Sequence, residues 1–365
     1  MRSKIACCAA GALLIAACHS NPHYNPMKTH HTADGFRNIH PHAPKQSFWK
    51  WQWQRLSKGI PADPESGYNF PLLTPDATFL AANRTRPTLT WIGHATFLLQ
   101  LGGVNVLTDP HLTERASPLS FAGPRRHVAP GLDFESLPHV DVVVVSHSHY
   151  DHLDRDTVRR LNRQAGGPPM FFVPLALKAW FADEGIGNVI ELDWWESRVH
   201  LGLTLHLAPV QHWSQRTPWD RDRTLWGAWV IEHPQMRLMF GGDFGYSRDI
   251  ADLGKRFGSF DLAALPIGAY EPRWFMSIMH VNPEEAVRTH RDLNARYSVG
   301  MHWGTFRLTD ERLDEPPRKL SEALSGAGIP PERFFLMKHG ESRGLEFLFA
   351  ESANEAAQPK RASAR

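Results

Sequence analysis

Three histidines and one aspartate, His147, His149, Asp151 and His152, fall within the six residues HSHYDH, directly after the apolar run VVVV at 142–145. Imidazole nitrogen and carboxylate oxygen are donors that divalent transition metals accept, and no thiolate stands among them. A catalytic metal needs about three protein ligands and an open position, so four donors in one short loop suggest two ions or one redundant site. His147 and His149, two apart in an extended chain, project to the same side and suit one ion. Asp151 and His152, turned elsewhere past Tyr150, suit a second. More candidates follow later apolar stretches: His212 after LTLHLAPVQ, Asp243 after RLMFGG and His302 after YSVGM. A lone histidine after a strand is more often a surface or hydrogen-bonded group than a ligand. The HxHxDH group is different, because polar side chains crowded at the end of a buried strand cost free energy unless something pairs them.

Such side chains need strands to hold them. TLTWIGHATFLLQLGGVNVLTDP predicts two strands joined by a turn at Gly102 and Gly103, the second ending at Asp109. Apolar runs predict further strands at residues 140–145, 170–173, 189–192, 203–208, 225–232, 237–240, 262–266, 297–301 and 345–349. Helices are predicted at 156–163, 175–184, 249–257, 283–294 and 316–324. The helix from 283 is the best marked: Asn282 can cap it, Pro283 suits its first turn and Glu285 has capping-box spacing. Strands punctuated by helices, with no Ser/Gly linker, predict one α/β domain over 70–350 whose strand ends gather a site. Residues 19–69, rich in His, Pro and Asn, predict an irregular arm. Within it Trp49, Trp51 and Trp53 alternate with polar residues, which predicts an extended piece whose aromatic face packs on the core or touches a membrane. Residues 351–365 predict a disordered tail.

Composition narrows the partners. With 365 residues and a formal charge of +2, the chain can bury a large core and shows no basic excess for nucleic acid. Arg2 and Lys4 precede an apolar stretch at 5–17 that is too short to span a bilayer as a helix, so 1–18 reads as a targeting segment. Its end, LLIAAC, resembles the bacterial lipobox. That resemblance implies lipidation of Cys18 and an anchor in the bacterial envelope, at the outer membrane or the periplasmic face of the inner membrane, with the globular part in water. An ordinary cleaved signal peptide fits the same residues. Cys7, Cys8 and Cys18 are the only cysteines, so the mature lipidated chain would hold no disulfide.

HSHYDHLD resembles the signature of the metallo-β-lactamase superfamily. The resemblance implies an αββα sandwich in which His147, His149 and His212 bind one metal, Asp151, His152 and His302 bind another, and Asp243 bridges them. Asp109 in LTDP would support the site from behind. Zinc is the common metal there, giving two Zn2+, although nitrogen and oxygen donors also accept iron or manganese. A narrower similarity runs through NPHYNP, WIGHATFLLQ, TDPHLTERASPLSFAGPRR, ELDWWE, QHWSQR, TLWGAWV, GAYEPRWFM, HVNPEEAV and HWGTF. Together they resemble the phospholipases D that hydrolyse N-acyl-phosphatidylethanolamines to N-acylethanolamine and phosphatidic acid. Two departures from that family, Phe244 after Asp243 and Met279 before His280, are expected near the substrate. His280 is a catalytic candidate beside the headgroup or leaving oxygen, or else merely closes the turn before Asn282. The pair Arg125 and Arg126 reads as solvated surface. The same fold also hosts lactone, ester and β-lactam hydrolysis. An envelope protein that keeps metals for assembly without turnover is the third reading.

Overall fold

The computed structural model describes residues 20–44 and 46–348; the targeting segment at 1–18 and the tail at 351–365 lie outside them. Two seven-stranded sheets form the centre. The first runs in the order Ser342–Gly344, Thr88–Gly93, Thr96–Leu101, Val104–Thr108, Val142–Val144, Met170–Pro174, Val189–Leu192. The second runs Phe334–Phe335, Ala295–Met301, Phe260–Pro266, Met236–Phe240, Ala228–His233, Leu203–Ala208, Ser197–His200. Both repeat one scheme, three antiparallel pairings at one edge and three parallel pairings at the other. Parallel strands deliver their C-terminal loops to one edge, where ligand sites of open α/β sheets collect.

Alternating side chains explain the uninterrupted valines. Val142 and Val144 enter the core that joins the two sheets, while Val143 and Val145 face the helices Arg155–Leu161 and Lys178–Asp183 through Val158, Leu161 and Phe181. A strand buried on both faces has no polar side to show. The second sheet is covered by Arg248–Phe257, Pro283–Asp292 and Glu315–Ala327, whose Ile250, Leu253, Ala286, Val287, Leu320 and Leu324 join the same core. The layers are therefore helix, sheet, sheet, helix, the expected αββα sandwich. Asn282 and Glu285 form the capping box that their spacing predicts.

Three expectations need correction. Residues 88–109 make three strands, because the chain also reverses at Gly93 and His94, where His94 takes a left-handed φ of 54° without an Asn-Gly signal. Residues 345–348 form no strand. Ser342–Gly344 instead pairs with the edge at Thr88, while Leu345 and Leu348 turn into the core. The tryptophan-rich piece is a helix, α1 (Phe48–Lys58), capped by the Ser47 hydroxyl accepting from the Lys50 N–H. Its seat on the domain decides the helix: Trp51 is buried, whereas Trp49 and Trp53 are exposed. No helix among the described residues is long and apolar enough to cross a membrane.

Candidate metal centre

Each expected ligand stands just past a strand end: His147 to His152 after Val142–Val144, His212 after Leu203–Ala208, Asp243 after Met236–Phe240 and His302 after Ala295–Met301. The fold brings all seven together. His147 Nε2 lies 2.8 Å from His149 Nδ1, and His212 Nε2 lies 3.4 Å from that same nitrogen. Neighbours fix which atoms carry lone pairs. His212 Nδ1–H donates to the Met279 carbonyl at 2.9 Å, leaving Nε2 as an acceptor. The Ser146 hydroxyl donates to Asp109 at 2.6 Å, so it accepts from His147 Nδ1–H at 2.9 Å and leaves that Nε2 bare too. A hydrogen on His149 Nδ1 can serve only one of these two bare nitrogens, whereas a cation among the three would satisfy both.

The second group is built alike. His152 Nδ1–H donates to Asp109 Oδ2 at 2.6 Å, which turns Nε2 toward Asp243 Oδ2 at 3.0 Å and Asp151 Oδ2 at 3.3 Å. His302 Nε2 approaches Asp243 Oδ1 at 3.1 Å, Asp151 Oδ2 at 3.3 Å and His152 Nε2 at 3.2 Å. Asp243 stands between the groups, its Oδ2 also 4.0 Å from His147 Nε2. Asp109 thus orients one histidine of each group, directly or through Ser146. Burial raises its pKa, against the three donors on its two oxygens, which favour the anion.

Electrostatics suits a cation. Burial pulls His147, His149 and His212 below the usual imidazole range, His149 to about 3, so they are neutral donors at pH 7. Burial opposes charge on Asp151 and Asp243 as well, yet the facing histidines, His152 foremost, hold both carboxyls well below their usual range. Burial of His302 is outweighed by the Asp243 charge, which lifts that imidazole to about 9. Nitrogen and carboxylate oxygen donors without thiolate, three of the imidazoles held in a fixed tautomer, fit divalent transition metals.

His280 does not close the Asn282 turn, which Asn282 and Glu285 complete between themselves. Its Nδ1 is buried without a hydrogen-bond partner, 3.8 Å from Asp243 Oδ2. Phe244 is fully buried in the core beside Asp243, and a side chain at Gly241 would meet its ring at 2.8 Å. Met279 is half-buried beside the Trp51 cluster. Arg126 corrects the reading of a solvated pair. Arg125 is exposed, but Arg126 is half-buried, donating to the His111 and Thr113 carbonyls with its guanidinium 4.9 Å over the Phe306 ring. Sequence reasoning also missed His94, whose Nε2 lies 3.0 Å from Asp151 Oδ2 and within 4.8 Å of the ligand atoms of His152 and His302. A histidine at the end of the buried run TLTWIG was the available signal.

Residues 104–303 match the model of the beta-lactamase superfamily domain. Over 247 residues the chain is 45% identical to the N-acyl-phosphatidylethanolamine-hydrolyzing phospholipase D 1 of Caenorhabditis elegans, covering 64% of this chain and 69% of that one. A mitochondrial N-acyl-phosphatidylethanolamine-hydrolyzing phospholipase D of Saccharomyces cerevisiae is 34% identical over 251 residues, covering 66% of this chain and about half, 52%, of the relative. Among solved structures, an isothiocyanate hydrolase from Delia radicum gut bacteria superposes with a TM-score of 0.55 at 23% identity, covering 71% of this chain and 99% of that chain. A metallo hydrolase of Ignicoccus hospitalis does so at 0.53 and 20%, covering 71% and 98%. These two share the fold.

Proposed function

The chain belongs to the metallo-β-lactamase superfamily, close to the N-acyl-phosphatidylethanolamine-hydrolysing phospholipases D, and from that premise we propose that this metal-dependent hydrolase cleaves N-acylated phosphatidylethanolamines as a phospholipase D. The observation that carries the reading is the convergence of five imidazoles and two carboxylates, with Nε2 of His147, His152 and His212 turned inward by Ser146, Asp109 and the Met279 carbonyl. His147, His149 and His212 would hold one zinc ion, Asp151, His152 and His302 a second, and Asp243 both. Bound zinc would supply an acidified water and offset the charge of the phosphodiester.

The chain's own groups do the rest. Asp109 keeps His147 and His152 in the tautomers that present Nε2. In the reaction the water oxygen bonds to phosphorus, the P–O bond to the ethanolamine oxygen breaks, and the proton lost by the water ends on the released alcohol. His280 Nδ1, unpartnered at the same mouth, is placed to hydrogen-bond that departing oxygen. Lipidation of Cys18 would hold the domain at the bacterial envelope beside its substrate; labelling with a fatty-acid analogue, lost in Cys18→Ser, tests the tether.

Zinc-loaded protein is offered N-acyl-phosphatidylethanolamine vesicles, bis(4-nitrophenyl) phosphate, a lactone and a cephalosporin, with products identified by mass spectrometry. N-acylethanolamine and phosphatidic acid are expected. Lactone or cephalosporin turnover without phosphodiester cleavage would overturn the reading.

A further inference from the structure

Helix α1 has an anchored face and a bare one. On the anchored side the Trp51 ring stacks on Phe275 with centroids 5.0 Å apart, and its Nε1–H donates to the Asp310 carboxylate at 3.0 and 3.1 Å. Met276, Trp274 and Met279 complete this seat. On the other side Trp49, Trp53 and Leu56, spaced i, i+4 and i+7, make one stripe that is 78, 69 and 83% exposed, with Phe48 beside it. Scattered surface hydrophobics are ordinary, but a contiguous aromatic stripe marks a surface that meets something. The helix contains no acid: Lys50 and Lys58 are exposed, while Arg55 pairs with Asp310 at 3.2 Å on the anchored side.

That charge selects the occupant. A second copy meeting this face across a twofold axis would bring the same two lysines against themselves, with no acid on the helix to offset them. An anionic lipid surface attracts them and accepts tryptophan rings at headgroup depth. We propose that α1 is a membrane-docking helix that seats Trp49, Trp53 and Leu56 at the boundary between headgroups and acyl chains of an anionic phospholipid bilayer, beside the metal centre. The seat links the two: Met279 packs with Trp51, its carbonyl accepts from the ligand candidate His212, and the next residue is His280. The helix that meets the bilayer is thus seated on the residue that precedes His280. The purpose of the helix rests on the lipid-hydrolysis reading, but docking itself does not.

The test uses the full chain and vesicles of phosphatidylglycerol and phosphatidylethanolamine with brominated acyl chains. Bromine quenches only tryptophan that enters the bilayer, so an N-terminal tether alone gives no signal. Quenching is expected, weaker at high salt, and most of it disappears in Trp49→Ser/Trp53→Ser/Leu56→Ser. In that variant turnover of vesicle lipid falls about tenfold or more while hydrolysis of soluble bis(4-nitrophenyl) phosphate is unchanged. The reversal Lys58→Glu alone weakens quenching on anionic vesicles and leaves it unchanged on phosphatidylcholine. If the wild type shows no quenching, or the triple variant is quenched equally, the proposal fails. It fails also if sedimentation shows a dimer that the triple variant dissolves. Quenching by a protein that cleaves no N-acyl lipid would sink the lipase reading and leave the docking helix standing.

Discussion

Around Asp193, the ligand-type atoms of His30 and His31 lie as close together as those of the metal centre, and all three side chains are buried. Yet the two groups are built in opposite ways. His30 Nε2 meets Asp193 Oδ1 at 2.7 Å, His31 Nε2 meets Oδ2 at 2.8 Å, and the Lys28 ammonium donates to the same Oδ2 at 2.6 Å. The Trp194 N–H fills the remaining place on Oδ1 at 2.7 Å. One carboxylate already has its cation and its donors, and the result is a latch holding the N-terminal arm to the domain. In the metal centre two carboxylates and five imidazoles converge, and among the described residues no lysine or arginine donates to them. Residue types alone do not separate a latch from a metal site. The balance of donors, acceptors and charge does.

Removing the central carboxylate of each group gives the sharpest contrast. Asp243→Asn exchanges the carboxylate placed between the two halves for an amide, so turnover is expected to fall to background and bound metal, measured by elemental analysis, to drop. Asp193→Asn is expected to leave both quantities unchanged per folded molecule. Loss of metal in the latch variant would break the comparison.

Asp109→Asn probes the centre one layer further out. The amide would offer a donor where His152 Nδ1–H and the Ser146 hydroxyl need an acceptor, so both imidazoles lose the tautomer that presents Nε2. Metal affinity is expected to fall about 10–100-fold with the fold intact, read by competition with a chromogenic chelator.

These contrasts follow what was legible in the chain. Val142 to Val145 announced a strand buried on both sides, and the ligands of HSHYDH followed because a buried strand end gives polar side chains few other uses. The Asn282 box was legible because both partners lie within four residues. What escaped depends on distant partners. Trp51 commits α1 to a helical seat through Asp310 and Phe275, more than 200 residues away, and nothing in FWKWQWQRL foretells them. Arg126 is drawn inside by carbonyls of the loop at 111–113 and by Phe306. His94 reaches Asp151 only because the chain reverses through a left-handed histidine.

Stability separates the two groups in the other direction. Asp193→Ala leaves Lys28 and two imidazoles without their common acceptor in a mostly buried place, which is expected to cost about 3 kcal/mol in urea unfolding. Because Lys28 is one-third exposed, part of its share is screened by water and salt, and the loss should shrink at high ionic strength. Metal content should not change.

The smallest expected effect is the latch's response to acid. Burial opposes ionisation of Asp193, but the hydrogen bonds from His30 and Lys28 outweigh it and hold the carboxyl far below the usual carboxylate range. Its folded pKa therefore lies below the unfolded value of about 3.9. A carboxyl shifted in that direction contributes its full stability above the unfolded value and loses it as pH falls toward the folded one. The arm should be fully latched from pH 5 upward and loosen below pH 4. Amide exchange reads this directly at Phe36 and Arg37, whose N–H groups donate to Asp222 and His30 carbonyls where the arm lies on the domain. Corrected for intrinsic rates, protection there should fall severalfold from pH 5 to 3, and Asp193→Asn should flatten that slope. A slope that survives the substitution would mean that another group sets the arm's acid response and that the latch is only a packing contact.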